Sequence, residues 1–413
     1  MWKSRAARQV AQRPPQRASR MKHVFSNAPI YDSIFRNLSP RTLVRLSRTC
    51  HMIHEAVTRF CQRAYNINRH LSRYFPDPLS FRSLQARTGL IISGSSALQF
   101  LDRSFYPESD LDIYCHPGHV YEVLEWMDSF GYRFEPHKYQ EAGWRTQVSA
   151  DWDGTVSRMR VPWHYLEEED RLRSTRYSNI AEVYTFKRLV VIDEECVELQ
   201  VQVIEAINNP IDTIMKYHST CVMNIITFDA AYSFYPIATF EDRSALKIPG
   251  SRHRPDVLAK YIKRGWRVYS LFRPGDLARP HESPFLPNIT RWVGDRHCWT
   301  VPLDTSGVEL RRALSPPSEQ FSWDPSTQSG WTLLTKPSSL ANFSEPKMDA
   351  NLVATTIFRY SYMIPSQSLS LAIRGWACSQ AKLYHGLVTR RDWTWFDAEI
   401  PRLRELTDVE QVT

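Results

Sequence analysis

Residues Leu90–Cys115 read LIISGSSALQFLDRSFYPESDLDIYC. Leu90-Ile91-Ile92 is a short apolar run with the length and composition of a buried strand. Gly94-Ser95-Ser96 then makes a small, flexible turn. Ala97–Leu101 follows with helical spacing, Leu98 and Leu101 lying three apart on one face. Asp110–Tyr114 alternates Asp, Leu, Asp, Ile, Tyr. A strand there puts Asp110 and Asp112 on one side and Leu111 and Ile113 on the other. Two carboxylates side by side on a strand face repel one another unless they meet water or a cation. Mg²⁺ is held by one or two carboxylates plus substrate phosphates, and a Gly-Ser turn at a helix N-terminus is a seat for phosphate. The stretch therefore reads as a metal–nucleotide site. The plainer alternative is a strand whose polar face is solvated.

Gly94-Ser95, a helix, then Asp110-x-Asp112 on the next strand resembles the signature of the nucleotidyltransferase superfamily, over about Arg82–Ile207. The resemblance implies a small mixed sheet with helices. It implies that Gly94 and Ser95 meet nucleotide phosphates, and that Asp110 and Asp112 are catalytic and hold Mg²⁺ for attack on the α-phosphate. Such enzymes take a third carboxylate from a later strand. Val197–Ile204 is that strand, with Val197, Leu199, Val201 and Val203 facing one way and Glu198, Gln200 and Gln202 the other. Gln202 is the closer match by resemblance, and a neutral amide is a poor Mg²⁺ ligand. Turnover is accordingly expected to be degenerate, with an active Mg²⁺-dependent nucleotidyltransferase as the alternative.

The chain of 413 residues is long enough for two or three domains and a sizeable core. Proline outnumbers glycine, 26 to 14, which implies long irregular connections. The formal charge of +8 is concentrated in residues 1–22, where Lys3, Arg5, Arg8, Arg13, Arg17, Arg20 and Lys22 occur without an acid. That basic start reads as a disordered tail over 1–27; a transit peptide, a nuclear signal and a nucleic-acid arm are the other readings. Seven scattered cysteines suit a reducing compartment better than a disulfide framework. No apolar run approaches a membrane span. An intracellular, cytoplasmic or nuclear location is expected, with no membrane partner.

Residues 28–75 read as a helical unit. Ile30, Ile34, Phe35 and Leu38 keep helical spacing, and Ser39-Pro40 is an N-cap with proline at the first helical position. Leu43, Leu46, Cys50 and Ile53 continue the stripe, and Val57, Phe60, Cys61, Ala64 and Tyr65 extend it. Leu38-Ser39-Pro40 followed by Leu43, Leu46, Ser47 and Cys50 resembles an F-box. Ala28-Pro29-Ile30-Tyr31 stands where that family carries Leu-Pro-x-Glu. The resemblance implies docking on a Skp-type adaptor of a cullin ubiquitin ligase through Ile34, Leu38, Pro40, Leu43 and Leu46.

Further along, Pro117–Gly131 and Pro210–Tyr217 read as helices, and Ile180–Arg188 pairs with Val197–Ile204. Leu258–Trp266 reads as a helix closed by Gly265, and Lys260, Lys263 and Arg264 on it are candidate phosphate ligands if the helix faces the cleft; the plainer reading is that they complement the helix dipole. Glu167-Glu168-Glu169-Asp170 reads as a solvated loop. Residues 273–350 carry Pro, Ser and Trp with little periodicity, which implies loops, and 351–413 supply closing elements and a polar tail. Cys115, His116 and His119 fall short of a zinc pattern, and His218 with Cys221 is weaker still. Neither a Walker loop nor a dinucleotide glycine run occurs.

The expectation is an α+β protein: a tail over 1–27, an F-box-like unit over 28–75, a nucleotidyltransferase-like domain over 80–272, and a loop-rich extension. The arrangement resembles fungal F-box-domain proteins with an appended nucleotidyltransferase-like region. It implies an interaction protein, a ligase substrate adaptor whose second domain takes a nucleotide-like or protein target.

Overall fold

The computed structural model of the protein describes residues 22–138, 140–148, 179–192, 194–249, 255–310, 324–337, 344–384 and 395–410. Most of the basic tail and the Glu167–Asp170 cluster lie outside these. The chain forms two compact units, Met1–Tyr65 and Asn66–Thr413.

After a helical stretch over 22–26, the described residues of the first unit form the helices Ala28–Phe35, Pro40–Ser47 and His51–Ala64. The Ser39 side chain accepts the Thr42 N–H at 3.3 Å and Pro40 opens the second helix, as an N-cap and a first-turn proline require. Tyr31, Phe35, Leu43, Ile53, Ala56, Val57 and Phe60 form the core. Arg63 ties the first and third helices by an ion pair to Asp32 at 2.6 Å. Two boundaries differ from the expectation. Residues 22–26 are helical, not tail, because Phe25 has a core to reach: it stacks on Phe35 with centroids 6.1 Å apart. At the other end the unit closes at Tyr65, and Ile67–Leu71 forms a helix of the second unit.

The second unit is built on an eight-stranded mixed sheet. Its strands are β1 (Ile91–Ser93), β2 (Leu111–Cys115), β3 (Arg133–Phe134), β4 (Ile180–Ile192), β5 (Glu195–Ala206), β6 (Asn224–Ile226), β7 (Ala230–Ser233) and an edge strand Trp299–Pro302. Their order is edge strand, β7, β6, β1, β2, β5, β4, β3. β2 and β5 are parallel, with Asp112 beside Gln202. Every other pairing in this sheet is antiparallel. A parallel pair needs a crossover; here the chain from β2 to β5 includes the helix Val120–Ser129, β3 and β4. Val120, Val123, Leu124 and Met127, the apolar face read from the sequence, are all buried.

The Pro/Trp-rich segment is more ordered than its lack of periodicity implies. Thr290–Trp292, Gly330–Pro337 and Ser344–Asp349 form a three-stranded antiparallel sheet. Trp331 and Leu333 enter the same core as Ile91, Tyr114 and Ile225. The Trp331 indole donates to the Tyr235 hydroxyl at 2.9 Å. Arg291, fully buried, is paired with Asp295 at 2.7 Å. The closing elements are a hairpin, Asn351–Val353 with Tyr362–Ile364, and helices Gln367–Tyr384 and Glu399–Glu410. Buried Asp397 accepts the Arg359 and Tyr360 N–H groups and the Tyr362 hydroxyl.

Candidate functional site

Ser93 at the end of β1 lies opposite Asp112 on β2. The next residue, Gly94, opens the helix Gly94–Asp102 directly, so Gly94-Ser95-Ser96 is the first helical turn and not a separate loop. Gly94 has φ +67°, and a Cβ there would stand 2.2 Å from Asp112 Oδ2. Only glycine lets the helix start this close to a carboxylate. The paired acids and the Gly-Ser element therefore share one place in the fold.

The loop between that helix and β2 is tied back to it. The Ser95 and Ser109 hydroxyls are hydrogen-bonded to each other. Gln99, buried, donates to the Ser95 carbonyl at 3.2 Å and accepts the Tyr106 N–H at 2.7 Å. The Tyr74 hydroxyl donates to the Ser109 carbonyl at 2.9 Å. The next serine, Ser96, meets His70 Nε2 at 2.9 Å. Burial pushes that imidazole down to about 4, so it is neutral at physiological pH.

On the other side of the acids, Gln200 Nε2 donates to Asp110 Oδ2 at 3.0 Å and Gln202 flanks Asp112. Glu198, the remaining acid on that face of β5, is half exposed and paired with Lys187 at 3.1 Å. Burial, with the charge of Asp110 added to it, pushes the Asp112 carboxyl up to about 7 against the pull of Lys260. Asp110 is raised as well, by burial, while Lys260 and the Gln200 hydrogen bond pull it down. Lys260, on the helix Pro255–Lys263, is thus close enough for its charge to act on both acids. Of the residues read from sequence, Gly94 stands against Asp112, Ser95 is hydrogen-bonded to Ser109 next to Asp110, and Lys260 is near enough for its charge to act on both acids.

Several contacts of the site carry no sequence signal. Tyr217 and Tyr261 lie near enough to Asp112 that its charge adds to the burial that raises their phenols. The Tyr217 hydroxyl is hydrogen-bonded to that of Tyr114. Arg264 pairs with Glu108 at 2.7 Å and lies 3.5 Å over the Tyr106 ring. Only the fold brings Arg264, just past the Pro255–Lys263 helix, to Tyr106 and Glu108.

Two carboxylates suit one Mg²⁺ completed by phosphate oxygens. The residue beside Asp112 on β5 is Gln202, a neutral amide. Among the described residues no group of three or more His, Cys, Asp or Glu is arranged to hold a metal. His116 and His119 pack on the Tyr360 ring, at 4.7 and 5.4 Å between centroids. Cys221 is buried, its thiol pushed up to about 12, which leaves no thiolate for nucleophilic work at neutral pH.

In the first unit the five predicted docking residues separate. Ile34 is 42% exposed, while Leu38, Pro40 and Leu46 are half-buried. Leu43 is 3% exposed and belongs to the unit's own core, so it cannot present a docking face. Helical spacing sends Val44, at 41% exposure, outward in its place.

No protein-family model, no curated protein and no solved structure matches this chain. Among the described residues no helix is long and apolar enough to cross a membrane.

Proposed function

We propose that the second unit binds a nucleotide as its Mg²⁺ complex with turnover degenerate, and that the first unit is an F-box-type docking module. Together they make the chain a ubiquitin-ligase substrate adaptor that works with a Skp-type partner. One observation carries the nucleotide reading: the Gly94 Cα lies so close to the Asp112 carboxylate that a methyl group there would overlap it. A helix start with free N–H groups beside paired acids offers donors to phosphate and acceptors to a cation. Gly94 and Ser95 would face the phosphates, Asp110 and Asp112 would hold Mg²⁺, and Lys260 would add positive charge. Mg²⁺ supplies charge neutralisation between the acids and the phosphates. Degeneracy rests on Gln202, which stands where a third carboxylate would complete a two-metal site.

The test is thermal unfolding of the full chain with Mg²⁺ and ATP. The wild type is expected to melt higher, since ligand at about a hundred times Kd adds about 2.7 kcal/mol. Asp110→Asn/Asp112→Asn is expected to lose that rise. An equal rise in both proteins, or none in the wild type, rejects the reading. The second reading, an active nucleotidyltransferase, is favoured by both acids and the glycine standing together. It predicts Mg²⁺-dependent pyrophosphate release from a nucleoside triphosphate; degenerate turnover predicts binding without release.

A further inference from the structure

We propose that Arg264 and Lys260 form a subsite for the terminal phosphates of a polyphosphate chain, and that the exposed Glu108 is a latch over it, displaced when the anion arrives. The proposal rests on the nucleotide reading above and names the regulation of that site. Lys260 and Arg264 lie four residues apart, one turn along the same helical path. The charge of Lys260 acts on Glu108 as well as on Asp110 and Asp112. Lys260 therefore lies within reach of the acids, and Arg264, one turn on, is tied to the Tyr106–Ser109 loop that leads into Asp110.

The Arg264–Glu108 pair is asymmetric. The Arg264 side chain is 9% exposed and held against the Tyr106 ring, whereas the Glu108 side chain is 66% exposed. Glu108 is bound through Nη2 at 2.7 Å, and Arg264 Nη1 is buried with no hydrogen-bond acceptor among the described residues. A guanidinium recognises an oxyanion best through two parallel N–H groups. Here one arm is taken by an exposed surface acid and the other is unused. A phosphate offers acceptors to both, and it is the ligand class that also suits Lys260 and the start of the Gly94–Asp102 helix. Glu108 is joined through Ser109 to Ser95 and to Asp110, so its displacement moves the loop that carries the first acid.

The experiment is calorimetric titration of the full chain with inorganic tripolyphosphate, without Mg²⁺. Glu108→Gln, an exposed substitution, is expected to tighten binding by about fivefold, the upper range for one exposed charge pair. Arg264→Gln is expected to weaken it by at least about tenfold, as loss of a buried charge-assisted contact does. Lys260→Gln is expected to weaken binding too, and it holds the test open should Arg264→Gln fail to fold. Unchanged or weaker binding in Glu108→Gln overturns the latch. Absence of tripolyphosphate binding in both wild type and Glu108→Gln overturns the subsite. The Mg²⁺–ATP test reads the aspartates and this one reads the cations, so the two readings fail separately.

Discussion

Asp112 carries a proton over a range where a free aspartate has lost it. Its carboxyl ionises near 7 in the folded chain against about 4 when unfolded, because burial and Asp110 both oppose the charge. The folded state therefore binds more protons than the unfolded one between those values, and this group's contribution to stability falls as pH rises from about 4 to about 7. Above 7 both states are ionised and the contribution is flat. Asp112→Asn, which never ionises, is expected to be more stable than the wild type at pH 8 by on the order of 2 kcal/mol, the half-buried setting discounting the full shift. The gap is expected to close towards pH 4, and denaturant melts at several pH values check it. Excess Mg²⁺ at pH 8 is expected to narrow it, since a cation removes the repulsion that the asparagine removes.

The helix Pro40–Ser47 turns two faces to different surroundings. Leu43 points inward, and Arg41, Val44, Arg45 and Arg48 follow the i, i+3, i+4, i+7 stripe on the exposed side. Leu43→Asp buries an unpaired charge, so it is expected to unfold the first unit, at a cost of more than about 3 kcal/mol. Capture of a Skp-type adaptor would then vanish for a trivial reason. Val44→Asp and Ile34→Asp change exposed positions and are expected to cost no more than about 0.5 kcal/mol. Pull-down with purified adaptor is expected to fall at least about tenfold in these two variants while their helical circular dichroism is unchanged, the loss expected when an anchor is cut from an interface. Capture at wild-type level by both would remove the docking assignment.

Every residue assigned to the nucleotide site, from His70 to Arg264, falls within Asn66–Thr413, while the docking residues fall within Met1–Tyr65. A fragment spanning 66–413 is therefore expected to keep the full Mg²⁺–ATP thermal shift and to lose adaptor capture. Loss of the shift on removing 1–65, in a fragment that still melts cooperatively, would show that the units do not act separately.

The sequence alone determined much of the local architecture. β1, the helix after it, β2, the long β4–β5 pair and the helix bearing Lys260 all follow from apolar periods of two or of about 3.6, because burial of one face imposes the period directly. The placing of Gln202 beside Asp112 was also foreseeable once the two strands were taken as neighbours. The three-stranded sheet of Thr290–Trp292, Gly330–Pro337 and Ser344–Asp349 was not, since Trp331 and Arg291 gain their partners from distant parts of the chain and leave no period behind. Nor was the inward turn of Leu43, as a stripe of leucines is the same whether it meets its own core or a partner. The tertiary structure alone decided that Gly94 abuts Asp112 and that Arg264 meets Glu108. Those contacts join residues 18 and 156 positions apart, and what fixes them is strand register and helix placement, which no short window of sequence encodes.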